Sequence, residues 1–92
     1  MSAFDVLVVD DEQDIRTYLQ TILQEEGLTV RCVPNASEAL TLIRVEKPQL
    51  IILDLMMPEM PGDELCRIIK SDAGHKDIVV FILTSKGDLE TK

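Results

Sequence analysis

The stretch from residue 50 to residue 62, LIILDLMMPEMPG, constrains the fold more than any other part of the chain. Its four consecutive aliphatic residues, 50–53, predict a strand that is buried on both faces, because a half-solvated strand alternates apolar with polar residues. We expect Asp54 at the tip of that strand, and two prolines and a glycine then prevent regular structure from continuing. A carboxylate held there is a candidate nucleophile or metal ligand. For a single aspartate, a polar strand end is the commoner interpretation.

Two other apolar runs also end in side chains that carry oxygen. Residues 4–9 lead into Asp10 and Asp11, and residues 78–83 lead into the hydroxyl of Thr84. Three strand tips with oxygen ligands suggest one shared site. The alternative for Asp10 and Asp11 is an acidic first helical turn, which interacts favourably with the positive end of a helix, but this alternative does not account for Asp54.

Length and charge limit the possible functions. Ninety-two residues are enough for one domain, which we place at residues 1–92. Nine basic and seventeen acidic residues give a net charge of −8, which argues against direct nucleic-acid binding and against binding to acidic membranes. A signal-peptide pattern and a membrane-spanning apolar run are both absent from the sequence, so we expect a cytoplasmic protein. We expect Cys32 and Cys66 to be free, buried thiols.

The order of patterns along the chain predicts an α/β fold. Helical spacing of apolar residues indicates a helix over residues 12–26, a second after an Asn35 cap and a third after Gly62. Residues 29–33 alternate polar with apolar and predict an edge strand, and residues 71–77 predict a loop. Strands alternate with helices, which is typical of a parallel sheet with right-handed crossovers.

We expect the strand order 2-1-3-4 in a doubly wound sheet, with the reversal of order between strands one and three. Ligands bind at such a reversal, outside the carboxyl ends of the strands. Asp10, Asp11 and Asp54 would then crowd within a few ångströms, which is unfavourable unless a proton or a cation intervenes. Mg²⁺ suits such a cluster, because it takes carboxylate, carbonyl and water oxygens.

These motifs together resemble the receiver domain family of two-component response regulators, the phosphoacceptor partners of histidine kinases, whose fold is flavodoxin-like. The resemblance rests on three segments, residues 8–12 (VVDDE), residues 54–58 (DLMMP) with Gly62, and residues 84–85 (TS). It implies that Asp54 is phosphorylated from a histidine kinase or a phosphotransfer protein. It also implies that Asp10, Asp11, Asp54 and the Met56 backbone carbonyl hold Mg²⁺, with Asp10 acting through water, and that Thr84 is the switch hydroxyl.

Two features depart from the family pattern. Pro61 stands where the family more often has Asp, Asn or Ser, and we expect this to change only the cap of the third helix. The larger departure is that the sequence stops at Lys92, before the family's fifth strand, its fifth helix and its essential lysine, a role that we do not transfer to Lys86. The fourth strand would then be an exposed edge, so we expect a homodimer or a domain-exchanged oligomer formed through it.

Two alternatives to a phosphoacceptor stay open at this point. The first is a chemically impaired receiver-like module that acts through dimerisation. The second is a phosphatase with an aspartyl nucleophile, which is disfavoured because such hydrolases generally need a second acid where Met56 stands. Our prediction is a phosphoacceptor that is not itself an enzyme.

Overall fold

The computed structural model describes residues 4–83 of the chain. Within this range, strands and helices alternate as the sequence predicts. The elements are β1 (Val6–Val9), α1 (Gln13–Glu25), β2 (Val30–Val33), α2 (Ala36–Val45), β3 (Leu50–Asp54), α3 (Gly62–Lys70) and β4 (Val79–Leu83). A short 3-10 turn, Ala73–His75, interrupts the connection between α3 and β4, which the sequence predicted as a plain loop.

The four strands form one parallel sheet in the order β2-β1-β3-β4. This confirms the predicted 2-1-3-4 order and the flavodoxin-like, doubly wound architecture. The register pairs Val9 with Leu53 across β1 and β3, so these two strands end side by side. The reversal of strand order therefore lies between the carboxyl ends of β1 and β3, where such folds bind their ligands.

Apolar side chains fill both sides of the central strands. On one side, Leu7, Ile51 and Leu53 pack against α2 and α3 and are fully buried. On the other side, Val8 and Ile52 pack against Leu19 and Leu23 of α1. Because β1 and β3 are covered on both faces, their apolar runs do not alternate, and the carboxylates that follow them are fixed on a rigid support.

Among the strands of residues 4–83, β4 lies at an edge of the sheet and is only partly covered. Val79 and Phe81 are 60% and 58% exposed. Their register partners are Leu50 and Ile52, so they lie on the same side of the sheet as α1. Val80 and Ile82, on the opposite side, pack against the larger core. The strand therefore presents aliphatic and aromatic surface beside a row of backbone groups that have no neighbouring strand within residues 4–83.

None of the helices in the described part of the chain is both long enough and apolar enough to cross a membrane.

Candidate functional site: an acidic cluster at the ends of β1 and β3

Three aspartates from two strand ends meet at one point. Asp54 is the last residue of β3, and Asp10 and Asp11 directly follow β1. One carboxylate oxygen from each lies within 4.8 Å of the others. Asp10 and Asp54 are buried, whereas Asp11 is exposed. The structure thus brings together the three carboxylates that the sequence singled out, although Asp54 is more than forty residues away along the chain.

Burial and crowding both act on Asp10. Burial raises the pKa of its carboxyl above the ordinary value of 3.8, while a hydrogen bond from the backbone N–H of Glu12 to Oδ1, at 2.9 Å, lowers it. The negative charges of Asp54, Asp11 and Glu12 raise the pKa further. Asp10 is therefore a carboxylate whose ionised form is disfavoured by its surroundings, which is the state that a bound cation relieves.

Asp54 is oriented by the loop that follows it. The backbone N–H of Met56 donates to Asp54 Oδ1 at 3.2 Å, and the backbone N–H of Leu55 donates to the carbonyl of Leu83 at 3.0 Å. The first of these bonds fixes the side chain, and the second continues the β3–β4 pairing beyond Asp54. Met56 itself exposes 59% of its surface and lines, together with Asp11, the cavity beside the cluster. Thr84, the predicted switch hydroxyl, lies outside the described residues.

Gly62 allows this loop to fold back onto the strand end. Its backbone N–H donates to the carbonyl of Leu55 at 2.9 Å. A Cβ atom at this position would stand 2.4 Å from the carbonyl oxygen of Asp54 and 3.0 Å from the Cα of Leu55, so only glycine fits. The glycine in the motif is thus required by close packing against Asp54, and α3 begins at this residue.

Two contacts near the site were not predicted from the sequence. Arg16, on α1, donates from Nη1 to the backbone carbonyl of Asp10 at 2.7 Å. Glu59, in the loop after Asp54, accepts through Oε1 from the backbone N–H of Ala36 at 2.9 Å. Arg16 lies one helical turn after Glu12, so helical periodicity could have placed it on the face of α1 next to β1. Glu59 and Ala36 are 23 residues apart, and no spacing rule connects a loop to the start of another helix.

The cluster has the donor set that a hard divalent cation needs. Three carboxylate oxygens lie close together, and two of the side chains are buried, so their charges are poorly screened by water. Beside them is a shallow cavity of about 430 Å³. Its lining residues are Asp11, Leu55, Met56, Met57, Pro58 and Pro61. The residues present therefore fit a metal ion next to a space that can admit a small group.

Comparison with known proteins assigns this arrangement to a family. A sequence model of the response regulator receiver domain matches residues 6–92. The DNA-binding response regulator MtrA of Mycolicibacterium smegmatis is 37% identical over 83 residues, covering 90% of this chain and 35% of that protein. An uncharacterized 14.6 kDa protein of Leptolyngbya boryana is 48% identical over 85 residues, covering 92% of this chain and 65% of that protein. The chain thus spans about a third of the mycobacterial relative.

Solved structures agree with the family match. The N-terminal domain of a response regulator receiver protein from Methanoculleus marisnigri superposes with a TM-score of 0.85 at 35% identity, covering 92% of this chain and 69% of that chain. The signal receiver domain of a histidine kinase from Syntrophus aciditrophicus gives the same TM-score at 37% identity, covering 94% and 65%. The chain therefore shares the fold of two solved receiver domains to which it is 35% and 37% identical.

The match corrects one prediction from the sequence. We expected a protein that is not an enzyme, and this is wrong as stated, because the matched domains are phosphoacceptors of response regulators. A phosphoacceptor takes part in covalent group transfer through its own side chain, so the description of such a protein as not an enzyme leaves out this chemistry.

Proposed function

The chain belongs to the response regulator receiver domain family of two-component signalling, and from this membership and the acidic cluster we propose that Asp54 accepts a phosphoryl group from a phosphohistidine donor. The observation that carries the proposal is the convergence of Asp10, Asp11 and Asp54 within 4.8 Å at the end of β3. Receiver domains of response regulators interact with histidine kinases, and we propose a kinase or a phosphotransfer protein as the donor.

The proposed step forms one bond and breaks one bond. An oxygen of the Asp54 carboxylate attacks phosphorus, a P–O bond forms, and the P–N bond of the phosphohistidine breaks, so that the imidazole leaves with the electron pair and is protonated. Attack along the line of the leaving group requires a carboxylate with a fixed direction. The rigid end of β3 and the hydrogen bond from the Met56 N–H supply that direction.

Mg²⁺ is the cation that we propose for the cluster. When bound, it would offset the charge of the carboxylates and of the phosphoryl oxygens in the transition state. Asp11 and Asp54 would bind it through their side chains, Met56 would do so through its backbone carbonyl, and Asp10 would contribute through water. The support is the set of oxygen atoms at one rim of the sheet, two of them on buried side chains whose charges repel.

The direct test is incubation with a small acyl phosphate, with and without Mg²⁺, followed by mass spectrometry of the intact chain and its peptides. We expect a mass gain of one phosphoryl group on the peptide that contains Asp54, dependent on Mg²⁺ and lost in Asp54→Asn. The control is Asp63→Asn, the same chemical change at an exposed aspartate of α3, which should leave the adduct intact. An adduct on another residue, or none at all, would contradict the proposal.

We also propose that copies of this chain associate through β4, as a homodimer or an exchanged oligomer. The support is the exposure of Val79 and Phe81 along an edge strand. With a net charge of −8, direct DNA binding by this chain is not part of the proposal, although the name of the mycobacterial relative includes that activity. The single domain over residues 1–92, the role of Thr84 and a cytoplasmic location stay predictions.

A further inference from the structure

The loop between Asp54 and α3 carries the proposed Met56 ligand, and it is held at several points. Its beginning is fixed by the hydrogen bond from the Met56 N–H to Asp54 and by the Met57 side chain, which is 94% buried in the larger core. Its end is fixed by the bond from the Gly62 N–H to the carbonyl of Leu55. Between these anchors, Glu59 reaches across to α2.

The contact of Glu59 with α2 is well suited to hold the loop. Its carboxylate accepts the N–H of Ala36, the first residue of α2, at 2.9 Å, and Ala36 is buried. The N–H groups in the first turn of a helix have no partner within the helix, and the positive end of the helix dipole attracts a carboxylate. Asn35 satisfies a different group, the N–H of Glu38. The two caps therefore complement each other, and only the one from Glu59 comes from another part of the chain.

We infer that Glu59 is a positioning residue for the metal site: by tying the loop to α2, it keeps the Met56 carbonyl at the rim of the acidic cluster. This inference rests on the proposed Mg²⁺ site. Glu59 does not contact the cluster itself, and it acts through the backbone of the loop. Loss of the tie would remove the anchor that follows Met56 and Met57 in the loop, so the Met56 carbonyl would be held less firmly by the remaining contacts and metal binding would weaken without being abolished.

Three substitutions of Glu59 separate the effect of side-chain length from the effect of charge. Glu59→Gln keeps an oxygen acceptor at the same distance from the backbone and loses the charge. Glu59→Asp keeps the charge, but its carboxylate falls one methylene short of Ala36. Glu59→Ala loses both. Glu64→Ala is the matched control for charge, because Glu64 is an exposed residue of α3 whose side chain makes no hydrogen bond or ion pair that joins it to other described residues.

The first readout is the Mg²⁺ concentration at half-saturation, from amide chemical shifts in a titration of each variant. A hydrogen bond to a charged group contributes enough to change an equilibrium about tenfold, and part of that is kept by the remaining anchors. We expect Glu59→Ala and Glu59→Asp to raise the half-saturating concentration about threefold to tenfold. Glu59→Gln should lie between Glu59→Ala and the wild type, because it keeps the acceptor and loses the charge, and Glu64→Ala should match the wild type. Hydrogen exchange at the Ala36 amide should accelerate most in Glu59→Ala and Glu59→Asp, less in Glu59→Gln, and not in Glu64→Ala.

The second readout is the rate of phosphoryl uptake as a function of Mg²⁺. A positioning role predicts that Glu59→Ala needs more Mg²⁺ but reaches nearly the wild-type rate at saturation, whereas a change of stability alone would leave the half-saturating concentration unchanged. The inference is overturned if Glu59→Ala binds Mg²⁺ like the wild type, if Glu64→Ala weakens binding equally, or if Glu59→Gln behaves like Glu59→Ala. Absence of phosphoryl uptake in the wild type would refute the proposed function, while the titration and hydrogen exchange would still decide the role of Glu59.

Discussion

Substitution of Asp10 by Asn should make the metal-free protein more stable. Asp10 is 4% exposed, and its carboxylate lies within 4.8 Å of that of Asp54. Asparagine has nearly the same shape, and its side-chain oxygen can still accept the N–H of Glu12. The substitution thus removes the charge and leaves the packing and the hydrogen bond in place.

The size of the effect follows from the geometry. Two unit charges at this distance repel by about 3.5 kcal/mol at an effective dielectric constant of about 20. The gain is smaller than this figure, because a carboxylate accepts a stronger hydrogen bond than an amide does. The exposed Asp11 adds little further repulsion, because solvent screens its charge. We therefore expect the free energy of unfolding to rise by about 1–2 kcal/mol, which corresponds to about 4–16 °C in Tm for a chain of this length.

Urea unfolding followed by circular dichroism, in a chelating buffer at neutral pH, measures this difference. The pKa of Asp10 is raised in the folded wild type. Below the ordinary value of 3.8 the carboxyl is protonated and does not destabilise the fold. As the pH rises through the raised pKa, the carboxyl ionises and the free energy of unfolding of the wild type falls. The gap between variant and wild type should therefore open with rising pH and close in acid. Asp14→Asn, at an exposed aspartate in the first turn of α1, is the control and should be slightly destabilising.

Excess Mg²⁺ should reverse the order. A ligand at a hundredfold excess over its Kd stabilises the native state by about 2.7 kcal/mol, and the variant should bind the ion more weakly. The reasoning is refuted if, in chelator at neutral pH, the free energy of unfolding of Asp10→Asn is no higher than that of the wild type while its slope against urea concentration is unchanged. It is also refuted if the gap between them does not change with pH.

Two further predictions concern the packing of the loop and the exposed strand. Gly62→Ala should cost about 2 kcal/mol or more in urea unfolding, because the new Cβ meets the backbone of Asp54 at 2.4 Å. Gly74→Ala, whose Cβ would meet only a side-chain oxygen at 3.4 Å, should have a much smaller effect, and equal costs would contradict the argument. Phe81→Glu should shift sedimentation of concentrated protein towards the monomer, since Phe81 is 58% exposed on the edge strand, and a wild type that stays a compact monomer would refute association through β4.

The sheet and the acidic cluster were predictable because they follow from two strong rules. Apolar runs without alternation mark strands covered on both faces, and the carboxyl ends of neighbouring parallel strands meet at one edge. Once the 50–53 run and the 4–9 run were placed side by side, Asp10 and Asp54 had to approach each other. The alternating pattern of residues 29–33 placed β2 at the other edge in the same way.

Contacts between loops and helix ends were not predictable from spacing. The Asn35 cap was expected and is present, since Asn35 Oδ1 accepts the N–H of Glu38 at 2.8 Å. A cap is a local rule that links residues three positions apart. The acceptor for Ala36 comes from Glu59, and its identity depends on how the β3–α3 loop is folded. Likewise, the 3-10 turn after α3 depends on Asp72 accepting the N–H of Gly74, one of several conformations open to such a sequence.

Stability and metal affinity are therefore opposed at this site. The fold holds Asp10 and Asp54 close together through buried strands that cannot move apart without exposing the core. The repulsion between them is a cost in the metal-free protein and a source of affinity for a cation, since binding removes it. Any substitution that relieves the repulsion, at either aspartate, should thus raise the stability of the metal-free chain and weaken Mg²⁺ binding together. A change in the loop at Glu59 should weaken binding without raising stability, so the two kinds of contribution can be told apart by measuring both quantities on the same variants.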